Sequence, residues 1–266
     1  MKEGRPAAFN DRYSRTRRVS ELNHQSIMQS ELCVVGAGAL GNEVLKNIVL
    51  YGAKRLTIVD RDRVESSNLG RCFLFTSEDA AAGIMKVDAA RRSLHAINDD
   101  VEIESRACDA RELDGSFFRQ FDAVVGCVDN IATRLHINSN CYFCSVPYID
   151  GGLDGLRGRI QVVTPPDGAC YQCSVNATHM SVAEREYTCT GREANVPRRI
   201  IAAEPSVSSI TASMQTLELM KLLSGRGSRD VIIIYDGSRN MLETVAVEKE
   251  KGCDNHGGSM NENNEA

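Results

Sequence analysis

An α/β fold, built on a mostly parallel sheet with helices on both faces and extended by antiparallel strands, is predicted by three observations. Short β-branched runs alternate with segments of helical period through the first half of the chain. A glycine-rich turn joins the first of these runs to the first long helix. After Pro147 the pattern changes to glycine-rich turns and alternating strands. Strand–helix alternation is the signature of parallel strands joined by crossovers, whereas strand following strand closes by antiparallel pairing.

The elements follow in order. β-Branched residues suit a pleated, buried surface, so strands are expected at 32–35, 56–59, 101–103 and 123–125. Between the first two, a helix over 39–51 carries Leu40, Val44, Leu45 and Ile48 on one face, with Gly52 placed to end it. The same period predicts helices over 84–97, 131–144 and 207–223. Strands at 159–163, 231–235 and 242–247 would add antiparallel partners. The polar segment 174–204 has little periodicity and is too long for an ordinary connection, so it reads as a functional crossover loop inside one domain spanning 1–256. The polar tail 257–266 is expected to be disordered.

Composition narrows the class. With 266 residues and 42% hydrophobic content the chain can bury a substantial core. A net charge of -5 excludes a protein whose main work is gripping nucleic acid through its phosphates, and the basic stretch at 12–18 is too short to change that. No apolar run approaches the roughly 20 residues that span a bilayer, and the start Met1-Lys2-Glu3-Gly4 lacks a signal-peptide core, so a cytoplasmic location is expected with no membrane partner. Ten cysteines without a secretory signal read as reduced thiols and metal ligands.

The turn Gly36-Ala37-Gly38-Ala39-Leu40-Gly41 follows a strand and opens a helix. Its backbone N–H groups and the helix N-terminus can face phosphate, while Gly36, Gly38 and Gly41 permit close approach. Asp60 ends the next strand about 20 residues on, where a carboxylate can accept hydrogen bonds from ribose hydroxyls. These two features alone fit NAD-dependent oxidoreductases equally well, although no hydride-transfer site is evident.

More specific is the stretch from Val59-Asp60-Arg61-Asp62 through Asn68-Leu69-Gly70-Arg71 to Phe75, followed by Lys86 and by Asp129-Asn130. The pattern resembles the adenylation domain of the ThiF/MoeB/ubiquitin-activating superfamily, whose motif reads D-x-D-x-V-x-x-S-N-L-x-R-Q, then K, then D-N. The resemblance covers residues 12–256 and implies a Rossmann-like fold that binds ATP and Mg²⁺ and adenylates the C-terminal glycine carboxylate of a small ubiquitin-fold protein ending in Gly-Gly. Arg71 and Lys86 would neutralise phosphate charge as pyrophosphate leaves, and Asp129 would hold the metal. Asp62 belongs to the same motif, and Asn68 would lie against the phosphates. Arg15, in Arg12-Tyr13-Ser14-Arg15, matches an R-Y-x-R motif whose arginine serves the neighbouring protomer's ATP, which implies a homodimer. Cys72 stands where the family often has Gln, and Met85 where it often has Pro; neither change removes a charge.

Cys170-Tyr171-Gln172-Cys173 and Cys253-Asp254-Asn255-His256 form a CxxC and a CxxH, two half-sites whose four ligands make one tetrahedral structural Zn²⁺ site. Family members usually carry CxxC in both places, so His256 is a departure. Such a site would pin the C-terminal hairpin. Cys141 and Cys144 also form a CxxC, but within an apolar helical pattern that suits buried, inert thiols.

Cys189, in Tyr187-Thr188-Cys189-Thr190-Gly191 upstream of Pro197, resembles the thioester-forming cysteine of ubiquitin-activating enzymes. Arg185, Arg192, Arg198 and Arg199 would favour its thiolate. The reading is therefore a ubiquitin-like modifier activating enzyme that adenylates its partner, transfers it to Cys189 and hands it to a downstream conjugating enzyme. The alternatives are a MoeB/ThiF-type activator of a sulfur-carrier protein without an obligatory thioester, a family member adenylating another carboxylate, and a subunit of a larger activating complex.

Overall fold

The computed structural model describes residues 11–175, 202–227 and 230–256. Eight strands form one sheet in the order β3-β2-β1-β4-β5-β6-β7-β8. The parallel part comprises β1 (Glu31–Val35), β2 (Arg55–Val59), β3 (Glu102–Arg106), β4 (Ala123–Gly126) and β5 (Tyr148–Asp154). The antiparallel part adds β6 (Arg157–Val163), β7 (Val231–Asp236) and β8 (Met241–Ala246).

Side-chain alternation along β1 divides the core into two layers. Leu32 and Val34 point into one cluster with Leu56, Ile58, Val125 and the apolar faces of α2 (Ala39–Tyr51), α4 (Lys86–Ile97) and α7 (Pro205–Leu223). Cys33 and Val35 point to the other side, against Phe118 of the short α5 (Gly115–Phe118), Ile137 and Cys141 of α6 (Ile131–Phe143), and Tyr148. The remaining helices, α1 (His24–Gln29) and α3 (Ser77–Ala82), are short. No helix among the described residues is long and apolar enough to cross a membrane.

Several boundaries differ from those expected, each for a local reason. The helix predicted from residue 84 begins at Lys86, because the Ile84 carbonyl accepts the Val64 N–H at 2.8 Å and Met85 pairs with Arg63 in an isolated bridge. The helix predicted from residue 207 begins at Pro205, whose missing N–H costs nothing at the first helical position, with Glu204 accepting the Val207 N–H as cap. The strand expected at 101–103 runs on to Arg106, polar and alternately exposed as befits a sheet edge. β5 was hidden by Gly151 and Gly152, which read as a turn. They are strand residues whose missing side chains make room for others: a Cβ at Gly151 would stand 2.3 Å from Gln215 Oε1, and one at Gly152 2.9 Å from Arg134 Nη2. The expected crossover segment lies almost wholly outside the described residues, as do Cys189 and the tail 257–266.

Candidate functional site

The strand order reverses between β1 and β4, and there, at the carboxyl ends of the parallel strands, a cleft of about 550 Å³ opens. Ligands of open α/β sheets bind at such switch points. Gly36, Gly38, Asp60 and Asp62 line it, together with Asn68, Arg71, Lys86 and Asp129. Gly41 lies beneath it, and its role is packing: a Cβ there would stand 1.9 Å from the Gly36 carbonyl oxygen. Arg15 is elsewhere. Its neighbour Tyr13 packs on Gly52 at the far end of α2 and accepts a hydrogen bond from Asn98 Nδ2 at 2.8 Å. A helix of this length separates its ends by about 20 Å, so the chain does not bring Arg15 to its own cleft.

The charged groups of the cleft hold one another in place. Asp60 accepts the Ala37 N–H at 2.7 Å through one carboxylate oxygen and the Asp62 N–H at 2.8 Å through the other, fixing the glycine turn to the end of β2. Desolvation pushes the Asp60 carboxyl up, partly offset by the Lys86 charge. Lys86 is buried and donates to Asp62 Oδ2 at 2.8 Å. Burial disfavours its charge, but the neighbouring Asp60 and the bond to Asp62 outweigh that and hold its pKa above the ordinary value. The site therefore keeps an ammonium ready for an anion. Arg71 is exposed and donates to the Ser67 carbonyl at 2.7 Å. Asn68 closes a capping box with Glu65, accepting its N–H at 2.9 Å. Asn130, next to Asp129, caps α6 by accepting the Thr133 N–H at 2.8 Å.

Two groups at this cleft escape sequence reasoning. Asn42 is fully buried in α2, donates to the Ala37 and Gly38 carbonyls at 2.8 and 3.1 Å, and accepts the Leu74 N–H at 2.9 Å, so it ties the glycine turn to the segment that carries Arg71. A polar residue on an otherwise apolar helical face was its only signal. Arg134, in the first turn of α6, forms a buried ion pair with Asp150 at the cleft wall.

The CxxC and CxxH half-sites meet at the other end of β6. Cys170, Cys173, Cys253 and His256 bring their ligand atoms within 4.8 Å of one another, and among the described residues they are the one such group that could hold a metal ion. The sulfurs of Cys170 and Cys173 are 3.8 Å apart, those of Cys170 and Cys253 3.6 Å, and Cys173 Sγ lies 3.6 Å from His256 Nε2. These separations exclude disulfides, whose sulfurs lie about 2.05 Å apart. Asn255 Nδ2 faces Cys170 Sγ at 3.6 Å, the Glu250 N–H donates to Cys173 Sγ at 3.4 Å, and Tyr142 stacks on the His256 ring. Donors to thiolate sulfur and a fixed imidazole are what an outer shell around a metal supplies. Cys141 is buried in the core and Cys144 donates to the Gly115 carbonyl, as expected for thiols outside the metal group.

Comparison with known proteins places this geometry. The model of the ThiF family matches residues 11–255. SUMO-activating enzyme subunit 2 of Dictyostelium discoideum is 35% identical over 92% of this chain and 37% of its own length. Molybdopterin-synthase adenylyltransferase of Escherichia coli is 30% identical over 86% of this chain and 88% of its own length. The fold is that of E. coli MccB in its crystal structure with ATP, with a TM-score of 0.75 at 19% identity, covering 95% of this chain and 75% of that one.

The cleft's acid rim yields a pH prediction. Burial alone would raise the Asp109 carboxyl, but Arg111, donating to it at 2.9 Å, and Arg61 at 2.6 Å pull it down to about 2. An unfolded Asp titrates near 3.9, so the stability from this cluster is fully present above about pH 4 and is lost as pH falls towards 2. Urea denaturation across pH 5 to about 2 should show a steeper loss for wild type than for Asp109→Asn; parallel curves would contradict the assignment.

Proposed function

The chain belongs to the ThiF family, and from that membership we propose that it is a ubiquitin-like modifier activating enzyme, adenylating the C-terminal glycine carboxylate of a small ubiquitin-fold protein at the cleft between β1 and β4. The observation that carries this reading is the convergence of the glycine turn, Asp60, Arg71, Lys86 and Asp129 on one cleft. A carboxylate is already a nucleophile, so no strong base is needed. Its oxygen attacks the α-phosphorus of ATP, the bond from that phosphorus to the bridging oxygen breaks, and pyrophosphate leaves with the electron pair. Asp60 would take the ribose hydroxyls, the turn and Asn68 the phosphates, while Lys86 and Arg71 stabilise the charge gathering on the leaving oxygens. Asp129, exposed in the cleft, would hold Mg²⁺, which supplies further neutralisation of the triphosphate.

Arg15 would serve the cleft of a second copy. In support, α2 and α7 pack against each other and leave Leu50, Ile210 and Leu217 exposed, apolar side chains that a homodimer interface would cover. The Cys170–Cys173–Cys253–His256 group would hold a structural Zn²⁺. A tetrahedral ion with Zn–S bonds of about 2.3 Å and a Zn–N bond of about 2.0 Å sets its ligands about 3.5 to 3.8 Å apart; the Cys170–Cys173, Cys170–Cys253 and Cys173–His256 edges have that length, and all four ligand atoms lie within 4.8 Å of one another. Cys189 would then attack the acyl adenylate, forming a thioester and releasing AMP. A second reading, activation of a sulfur carrier without an obligatory thioester, is favoured by the match to the bacterial adenylyltransferase over most of its length.

Three outcomes test these proposals. Purified chain should exchange radiolabelled pyrophosphate into ATP in the presence of a Gly-Gly-terminated partner, and Lys86→Ala should slow this by roughly a hundredfold or more, a cost of about 3 kcal/mol in transition-state stabilisation. Mixing Lys86→Ala with Arg15→Ala should restore exchange, because a mixed dimer regains one intact site; tight NAD binding without ATP binding would end the reading. Elemental analysis should give one zinc per chain, with Cys173→Ser and His256→Ala lowering melting temperature more than nucleotide affinity, and a zinc-free chain whose melting ignores chelator would remove the metal site. On non-reducing gels, wild type with ATP and partner should show a thiol-sensitive adduct. Cys189→Ala should lack it while keeping pyrophosphate exchange, and exchange without any adduct in wild type would select the sulfur-carrier reading.

A further inference from the structure

The cleft wall contains a buried charge network to which the chemistry above gives no task. Arg134 is buried in the first turn of α6 and spreads its guanidinium between two acceptors: Nη2 donates to the Val128 carbonyl at 2.6 Å, and Nη1 meets Asp150. Asp150 has no exposed surface; it also accepts from the Tyr148 hydroxyl at 2.7 Å and lies 3.7 Å from Arg159 Nη1. Arg159 in turn packs over the Tyr171 ring and donates to Ser174 Oγ at 2.9 Å. The Arg134 fork is therefore clamped from behind.

We propose that Arg134 is a positioning residue for adenylation: by holding the Val128 carbonyl, it fixes where the adjoining Asp129 carboxylate stands in the cleft. This rests on the role proposed above for Asp129. That side chain is exposed and makes no hydrogen bond or ion pair among the described residues, so its place is set by the backbone on either side. On one side Cys127 N–H donates to the Val35 carbonyl at 2.7 Å and the Val128 carbonyl accepts from Arg134; on the other, Asn130 caps α6. Without Arg134 the residue next to Asp129 keeps the packing of its own side chain against the core but loses its only hydrogen bond to a side chain among the described residues. Energetics favour this role over a stabilising one, because a buried ion pair contributes little net stability once desolvation is counted. The space around the fork is also kept clear. A Cβ at Gly152 would come 2.9 Å from Nη2 and 3.0 Å from Nη1. Lysine cannot replace the arrangement, since a single ammonium does not reproduce a planar fork bridging a carboxylate and a carbonyl.

The test separates metal-dependent from metal-independent nucleotide binding, using the full chain and calorimetric titration of ATP once with Mg²⁺ and once with EDTA. In Arg134→Lys, the factor by which Mg²⁺ tightens ATP binding should fall about tenfold or more, the usual effect of removing a residue behind a metal ligand. Affinity in EDTA should stay at the wild-type value. Gly152→Ala provides a second variant that changes no charge, crowds the guanidinium and should shift the same factor in the same direction, which keeps the test open if Arg134→Lys melts without cooperativity. Folded variants with the wild-type Mg²⁺ factor, or with affinity in EDTA reduced as much as affinity in Mg²⁺, would overturn the positioning role. Wild type that fails to bind ATP under either condition would overturn the underlying function as well.

Discussion

The close approach of Gly36 to the exit of β4 is the constraint on which the rest of the cleft depends. With φ at +99°, Gly36 occupies backbone space that other residues rarely adopt, and a Cβ there would lie 2.5 Å from the Cys127 carbonyl oxygen. Gly41 is locked from below against Gly36 itself. Two chain segments that start different helices, the turn opening α2 and the turn opening α6, are thereby pressed together at one point. In the function proposed above the first would offer backbone N–H groups to phosphate, and the second carries Asp129. A side chain at 36 would force these two turns apart and move the glycine turn away from Asp129, and one at 41 would distort the glycine turn itself.

Around that point the site is built from mutual restraint rather than from free charges. Asp60 holds the Ala37 N–H and the Asp62 N–H, Asp62 holds Lys86, and Lys86 stabilises Asp60 through its charge. A lysine kept charged at the edge of a low-dielectric cleft acts on an anion more strongly than one in water. A ligand phosphate would also find its cations already positioned, so less ordering is needed when it binds. Asn42 extends this logic to the segment of Arg71 by bonding the turn on one side and Leu74 on the other. The exposed Arg71 is thus fixed at its base, and its guanidinium rests on the Ser67 carbonyl.

Much of this was legible from residue types, and the limits of legibility have physical causes. The glycine turn and Asp60 could be picked out from the strand–turn–helix pattern and their chain separation, whereas Lys86 and Asp129 could be picked out only by resemblance to a family motif; the structure brings all four to one cleft. The metal group could be read as two half-sites although 83 positions separate Cys170 from Cys253, because each half carries its own spacing. Arg134 and Asn42 could not. A charged or polar residue in a helix ordinarily faces water, and only the three-dimensional packing shows that these two are buried. β5 was obscured for the same reason, since its glycines answer to Gln215 and Arg134, residues 64 and 18 positions away in the sequence. The start of α4 was displaced by a tertiary bridge between Met85 and Arg63 that no helical period can announce.

The two sites share more than a sheet. Val175, two residues past Cys173, ends the described chain beside the cysteine–histidine group, and Ala203 lines the nucleotide cleft after Ala202 accepts the Gly155 N–H at 2.9 Å. The described chain thus stops beside the metal-capable group and resumes at the cleft wall. Cys189 lies thirteen residues before Ala202, and a chain of that length spans at most about 45 Å when extended. Covalent reach alone thus permits its thiol to meet the acyl adenylate proposed above. A metal ion at the cysteine–histidine group would join two parts of the chain with one set of bonds, closing the C-terminal turn at 253–256 onto the turn at 170–173 that follows β6.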